Sequence, residues 1–208
     1  MISSLEFTEM ENKKVLTFED LDHTLTYSYA DYLGWNIDPP VELLNGKIFK
    51  KSLPPTHFHE SVITNVASAL YSYLKHKPYR VCTAPFNVRF FRGKNTDENI
   101  FTVLQPDISV VCDPDKLDDR GCLGAPDIIA EILTNGNNKK ELLYKYSLYE
   151  EFGVREYWVI SPGDMTFLRY TLNGAGKYVP SRLFTLSEEV YSDILPGFIL
   201  NLDDVFEI

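Results

Sequence analysis

Three side chains of this 208-residue chain could act together on one reaction: Asp107, Glu131 and Lys145. Asp107 interrupts the apolar run Phe101 to Cys112 (FTVLQPDISVVC), and Glu131 interrupts Asp127 to Leu133 (DIIAEIL). An unpaired carboxylate inside a buried strand costs several kcal/mol or gives up its charge. Lying side by side, the two would both stay ionised around a shared divalent cation, a hard ion that takes oxygen ligands. Lys145 belongs to the helix expected after the Glu131 strand, in a stripe of Leu142, Lys145, Tyr149 and Phe152 that falls on one helical face. A lone lysine there snorkels, packing its stem and sending its ammonium to water. Beside paired acids and a metal, the same ammonium can position a water and stabilise developing phosphate charge.

The elements that must hold these residues are readable from periodicity and turn chemistry. Thr17 with Asp20 predicts a helix cap and a first helix that ends before the Gly34 to Pro40 segment. Val41 to Leu44 and Lys47 to Leu53 flank Asn45-Gly46, the dipeptide suited to a two-residue type I′ turn, and Pro54-Pro55 stop the second strand. Between Thr56 and His76 the residues Val62, Ile63, Val66, Ala69, Leu70, Tyr73 and Leu74 recur at helical spacing. Tyr79 to Phe91 and Phe101 to Cys112 read as an antiparallel pair of strands around the polar turn GKNTDEN, with Asp107 central in the second. On that strand Gln105 and Ser109 would share the face of Asp107. Asp127 to Leu133 is a third strand, followed by the loop TNGNN and a helix from Lys139 to Phe152 that stops at Gly153. Arg155 to Ile160 and Met165 to Thr171 form a hairpin across Pro162-Gly163, and Ile199 to Leu202 is a late strand after Pro196-Gly197. The sum is an α/β or α+β chain, a mixed β-sheet flanked by helices with an N-terminal helix and hairpin.

Length fits a single domain over residues 1–208, with 1–40 as an N-terminal extension and helix packed on it, and neither a repeat nor a low-complexity tract divides it. No apolar run reaches the length of a membrane span, and MISSLEFTEMENKK lacks the basic start and apolar stretch of a secretory signal. Cys82, Cys112 and Cys122 are odd in number and form no CxxC pair, which suits free thiols in a reducing compartment. The expected location is the cytoplasm. A net charge of -10 speaks against a protein that coats nucleic acid non-specifically. Short basic strips remain at Lys139, Lys140 and Lys145 and at Arg89 and Arg92, each read first as solvated surface.

Several motifs in order carry a resemblance over nearly the whole chain. They are Val41-Glu42-Leu43-Leu44-Asn45-Gly46, His59, Gln105-Pro106-Asp107, Gly124-Ala125-Pro126-Asp127, Ala130-Glu131-Ile132-Leu133, Lys145 with Tyr149, Gly153-Val154-Arg155-Glu156-Tyr157-Trp158 and Leu195-Pro196-Gly197-Phe198. As a set they resemble the Uma-type restriction endonuclease family, a branch of the PD-(D/E)xK nuclease superfamily. The resemblance implies a restriction-endonuclease-like core in which Asp107 and Glu131 hold Mg2+ or Mn2+ for phosphodiester hydrolysis of nucleic acid, DNA ahead of RNA. The superfamily lysine normally follows its acid by two residues, and Leu133 stands there. The resemblance moves that role to Lys145 and adds Glu42 as a further carboxylate beside the site, for a second metal or a water.

On spacing alone Glu42 is a surface acid. His59 shares a helical face with Ile63, Val66 and Leu70 and reads as a satisfied core histidine or, at a helix N-terminus, as a substrate-binding residue on the site rim. His57 is expected to be exposed, Gln105 to orient water or touch phosphate, and Tyr149 and Trp158 to be core aromatics. Two functions from different classes follow: a metal-dependent endonuclease, or an inactive nuclease-fold protein used in binding or assembly. A homodimer joined through an edge strand is the expected assembly. A glycosidase could also use two carboxylates, but it needs neither the lysine nor a metal.

Overall fold

The computed structural model describes residues 16–37, 41–50, 56–134 and 139–207. In chain order the strands are β1 (Val41–Leu44), β2 (Lys47–Lys50), β3 (Arg80–Thr83), β4 (Val88–Phe90), β5 (Thr102–Leu104), β6 (Ile108–Val111), β7 (Leu117–Asp118), β8 (Gly121–Leu123), β9 (Ile128–Ile132), β10 (Glu156–Ser161), β11 (Thr166–Leu172), β12 (Tyr178–Pro180), β13 (Glu189–Tyr191) and β14 (Ile199–Asn201). The α-helices are α1 (Tyr29–Leu33), α2 (His57–Leu74), α3 (Lys139–Phe152) and α4 (Leu202–Phe206). None of the described helices is long and apolar enough to cross a membrane. Residues 1–51 with 91–103 form one compact unit, and residues 52–90 with 104–208 form the other.

In the first unit, β1 and β2 pair antiparallel around Asn45-Gly46, whose φ angles of 50 and 76 are the left-handed pair that a type I′ turn requires. A side chain at Gly46 would run into Thr26 Cγ2 at 2.3 Å, so the turn also needs glycine for space. Leu43 pairs with Val103 of β5. The single N-terminal helix expected from Thr17 is instead a 3-10 turn, Phe18–Asp20, and a separate short α1. Asp22 Oδ1 accepts from Thr24 N at 2.9 Å and from Thr24 Oγ1 at 2.6 Å, a local turn that competes with helix between them. The helix restarts where Ser28 and Asp31 form a capping box. The strand end and Pro54-Pro55 expected after β2 lie outside the described residues, as does most of the TNGNN loop.

The second unit is built on a six-stranded mixed sheet in the order β12-β11-β10-β9-β6-β3. β9 and β10 are parallel, with α3 as their connection, and β6 pairs antiparallel with β9 on one side and β3 on the other. Alternation gives this sheet two unlike faces. Ile108, Val110, Ile128, Ala130, Ile132, Trp158 and Ile160 join Val62, Val66, Leu70 and Leu74 of α2, together with Val205 and Phe206 of α4, in one apolar core. The residues between them, including Ser109, Glu131 and Tyr157, take the other face, which α3 covers.

The long strands expected over Tyr79 to Phe91 and Phe101 to Cys112 are each split in two. Pro85 and Pro106 fall in the gaps, where a missing N–H cannot continue a ladder. Asp107 therefore stands in the bend before β6 and not in the middle of a strand. β3 and β6 still pair antiparallel, from Arg80 with Val111 to Thr83 with Ile108. In the same unit β8 pairs with β4 in parallel and with β7 antiparallel.

Candidate active site

The C-terminal end of β9 gathers the acids. Glu131 is the penultimate residue of that strand, and α3 returns over its face with Lys145 and Tyr149 one helical turn apart. Lys145 Nζ donates to Glu131 Oε1 at 3.0 Å, and Tyr149 Oη donates to the same oxygen at 2.6 Å. Glu131 is 6% exposed and Lys145 3%, so this is a buried ion pair whose desolvation cost is offset by close geometry and the added phenol hydrogen bond. Glu141, one turn before Lys145, lies 3.8 Å from the same ammonium. The snorkelling alternative is thus corrected, because the Lys145 ammonium turns inward. Tyr149 is also more than a core aromatic.

Asp107, 7% exposed, reaches the same strand end from the neighbouring bend. Its Oδ2 accepts from Ile132 N at 2.8 Å, and its carbonyl accepts from Ala84 N at 3.1 Å. Since Ile132 follows Glu131, the two acids are fixed at adjacent points of one backbone. α2 begins here too. Thr56 caps it by accepting from His59 N at 3.2 Å, and His59 Nε2 lies 3.1 Å from the Ile132 carbonyl oxygen and 3.5 Å from Asp107 Oδ2. In the Nε2–H tautomer the ring donates to that carbonyl. The Ile132 peptide is consequently gripped on both sides, its N–H by Asp107 and its C=O by His59. Burial works against the charged imidazole, but Asp107, by hydrogen bond and charge, and then Glu60 outweigh it and raise His59 above its ordinary value. His57 is exposed, as expected.

Gln105 is buried just before Pro106, and its amide donates to Asn87 Oδ1 at 2.9 Å, a partner that sequence spacing does not reveal. The alternation expected through Gln105, Asp107 and Ser109 does not run, because the strand breaks there. Ser109 Oγ and Tyr157 Oη are buried on the α3 face and have no hydrogen-bond partner among the described residues. Burial first, and the Glu131 carboxylate second, push the Tyr157 phenol upward. Glu42 is also buried, at 3% exposure, on β1 of the first unit, opposite Phe49. The surface reading of Glu42 is thereby corrected.

Among the described residues no group of three or more His, Cys, Asp or Glu side chains is arranged to hold a metal ion. The donors at the end of β9 are two carboxylates, Asp107 and Glu131. That set suits a hard cation that keeps several of its waters, such as Mg2+, and does not suit a metal that needs a complete protein cage.

Comparison with known proteins gives consistent results. The model of the family Uma2, described as "Putative restriction endonuclease", matches residues 29–203. Five chains of solved structure match. One is the crystal structure of a "putative nuclease belonging to DUF820" from Anabaena variabilis, at 19% identity and a TM-score of 0.68, covering 86% of this chain and 97% of that one. At that identity the likeness establishes a shared fold. No curated protein matches.

Proposed function

The chain belongs to the Uma2 family of restriction-endonuclease-like proteins, and on that premise we propose that it is a divalent-metal-dependent endonuclease acting on nucleic acid, DNA ahead of RNA. The observation that carries the proposal is the Lys145–Glu131 contact of 3.0 Å beside Asp107, which supplies the lysine absent from the strand. Asp107 and Glu131 are the proposed ligands of Mg2+ or Mn2+. Bound there, the metal would supply a polarised water and charge neutralisation at the scissile phosphate.

The chain's own groups have separable tasks. Lys145 holds Glu131 in one orientation, and its ammonium is the proposed stabiliser of charge on a non-bridging phosphate oxygen. His59 fixes the Ile132 carbonyl and Asp107 together, so its proposed part in substrate binding is at the wall of the site. Gln105, tied to Asn87, is the proposed water or phosphate contact on the Asp107 side.

A second reading has one observation in its favour: the Lys145 ammonium already balances Glu131, so the site is electrostatically tolerable as a purely structural element. In that case the protein keeps a nuclease fold for binding or assembly. Incubation with supercoiled, linear and single-stranded DNA and with RNA, in Mg2+ or Mn2+, separates the two. Cleavage that needs the metal and disappears in Asp107→Ala supports the enzyme. No metal-dependent cleavage on any substrate, or equal cleavage by the variant, leaves only the structural reading.

A further inference from the structure

We infer that Tyr149 is a positioning residue that sets which metal ion the site prefers, by restricting Glu131 to coordination through a single oxygen. This rests on the metal reading above and adds a determinant of selectivity to it. Lys145 and Tyr149 converge on one atom, Glu131 Oε1, at 3.0 and 2.6 Å. Both come from α3, so their separation is fixed by the helix. The Tyr149 ring is fully buried, with its centroid 5.0 Å from that of Tyr157 and 6.0 Å from that of Phe90. A ring so enclosed cannot swing its hydroxyl away without opening the core.

A cation that chelates Glu131 through both oxygens must compete with both donors for Oε1. Displacing them would break two buried hydrogen bonds, each an expensive loss. A cation that takes one oxygen leaves both hydrogen bonds intact. Ca2+ accommodates large, irregular oxygen shells with bidentate carboxylates, whereas Mg2+ and similar small ions hold an octahedron of single oxygens and waters. The Tyr149 hydrogen bond therefore acts against the larger ion, selecting by what it penalises.

The test titrates the full-length protein, without substrate, with Mn2+ and separately with Ca2+ by calorimetry. Tyr149→Phe keeps the ring and removes the donor, and thermal melting verifies that the variant folds. Its ratio of Mn2+ to Ca2+ affinity should fall by about tenfold or more, the worth of one hydrogen bond to a charged group, chiefly through tighter Ca2+ binding. Lys145→Met removes the other donor to Oε1 and should move the ratio in the same direction; it carries the test if Tyr149→Phe does not fold. An unchanged ratio in a folded variant, or an equal loss of both affinities, overturns the inference while the metal reading stands on the wild-type titration. Wild type that binds neither ion overturns both.

Discussion

Two glutamates on adjacent strands show how differently a buried acid can be accommodated. Glu131 of β9 faces α3, and Glu156 of β10 faces the apolar core on the opposite side of the same sheet. Glu156 is 0% exposed and is surrounded by donors fixed in the fold. Its Oε2 accepts from Trp158 Nε1 at 2.8 Å and Ser192 Oγ at 3.0 Å, and its Oε1 accepts from Asp193 N at 2.6 Å and Ile194 N at 3.3 Å. Arg169 stands farther off, 3.8 Å from Oε1. Glu131 instead takes the Lys145 ammonium and the Tyr149 phenol on one oxygen, with a second acid on the next peptide. Glu156 is a staple that joins β10 to the segment before β14. Glu131 is the acid proposed to hold a metal. Burial and hydrogen bonding are common to both acids; what differs is the nature of the donors around the structural acid and around the proposed metal ligand.

The comparison is broken most directly by truncating each acid. Asp107→Ala and Glu131→Ala should each lower metal-dependent cleavage by about a thousandfold or more, the effect of losing several kcal/mol of transition-state stabilisation. Equal turnover by either variant would place the chemistry elsewhere. Glu156→Ala should leave cleavage per folded molecule unchanged but cost about 3–5 kcal/mol in urea denaturation, because Trp158, Asp193 and Ile194 would all lose a buried acceptor. Inactivation of a stably folded Glu156→Ala protein would erase the distinction between the two acids.

Smaller effects sharpen it. Thr56→Ala removes the cap that starts α2 beside the site and should cost about 1 kcal/mol in the same denaturation measurement. Because that cap holds His59 N, cleavage should fall more in Thr56→Ala than in an equally destabilised variant at the far end of α2. Asp31 is an exposed counterpart of Glu156, with Ser28 N–H and Oγ–H as its fixed donors at 2.7 and 2.8 Å. The backbone donor first, and the side-chain donor second, hold its carboxyl below 3.8. Its contribution is therefore complete above that ordinary value and is lost as pH falls through the lowered one. The melting difference between wild type and Asp31→Ala should shrink from about pH 5 to about pH 2, and it should be small throughout because solvent screens the group.

What could be read from the sequence was local. Asn45-Gly46 fixed its hairpin, Thr56 its helix start and Gly153, with a φ of 84, the end of α3. The alignment of Lys145 with Tyr149 on one face was equally plain, since helical spacing depends on nearby residues alone. Asp107 stands out in the sequence as a carboxylate in an apolar run, but its place in a bend depends on Pro106 outweighing the β preference of the surrounding residues. The Glu156 staple was invisible for a different reason. Two of its donors are backbone N–H groups at Asp193 and Ile194, and every residue possesses such a group. The break in the N-terminal helix is not legible in the sequence, because the Asp22–Thr24 turn competes with helix through side-chain hydrogen bonds that composition does not reveal.

The grip on the Ile132 peptide bears on how such a protein can change over generations. Asp107 and His59 hold main-chain atoms of Ile132, while the Ile132 side chain packs in the core on the α2 face. Substitution at this position by another apolar residue would alter the packing without deleting the groups that align β9 with α2 and the Asp107 bend. The core can therefore drift at the residue nearest the site while the site's framework is inherited intact.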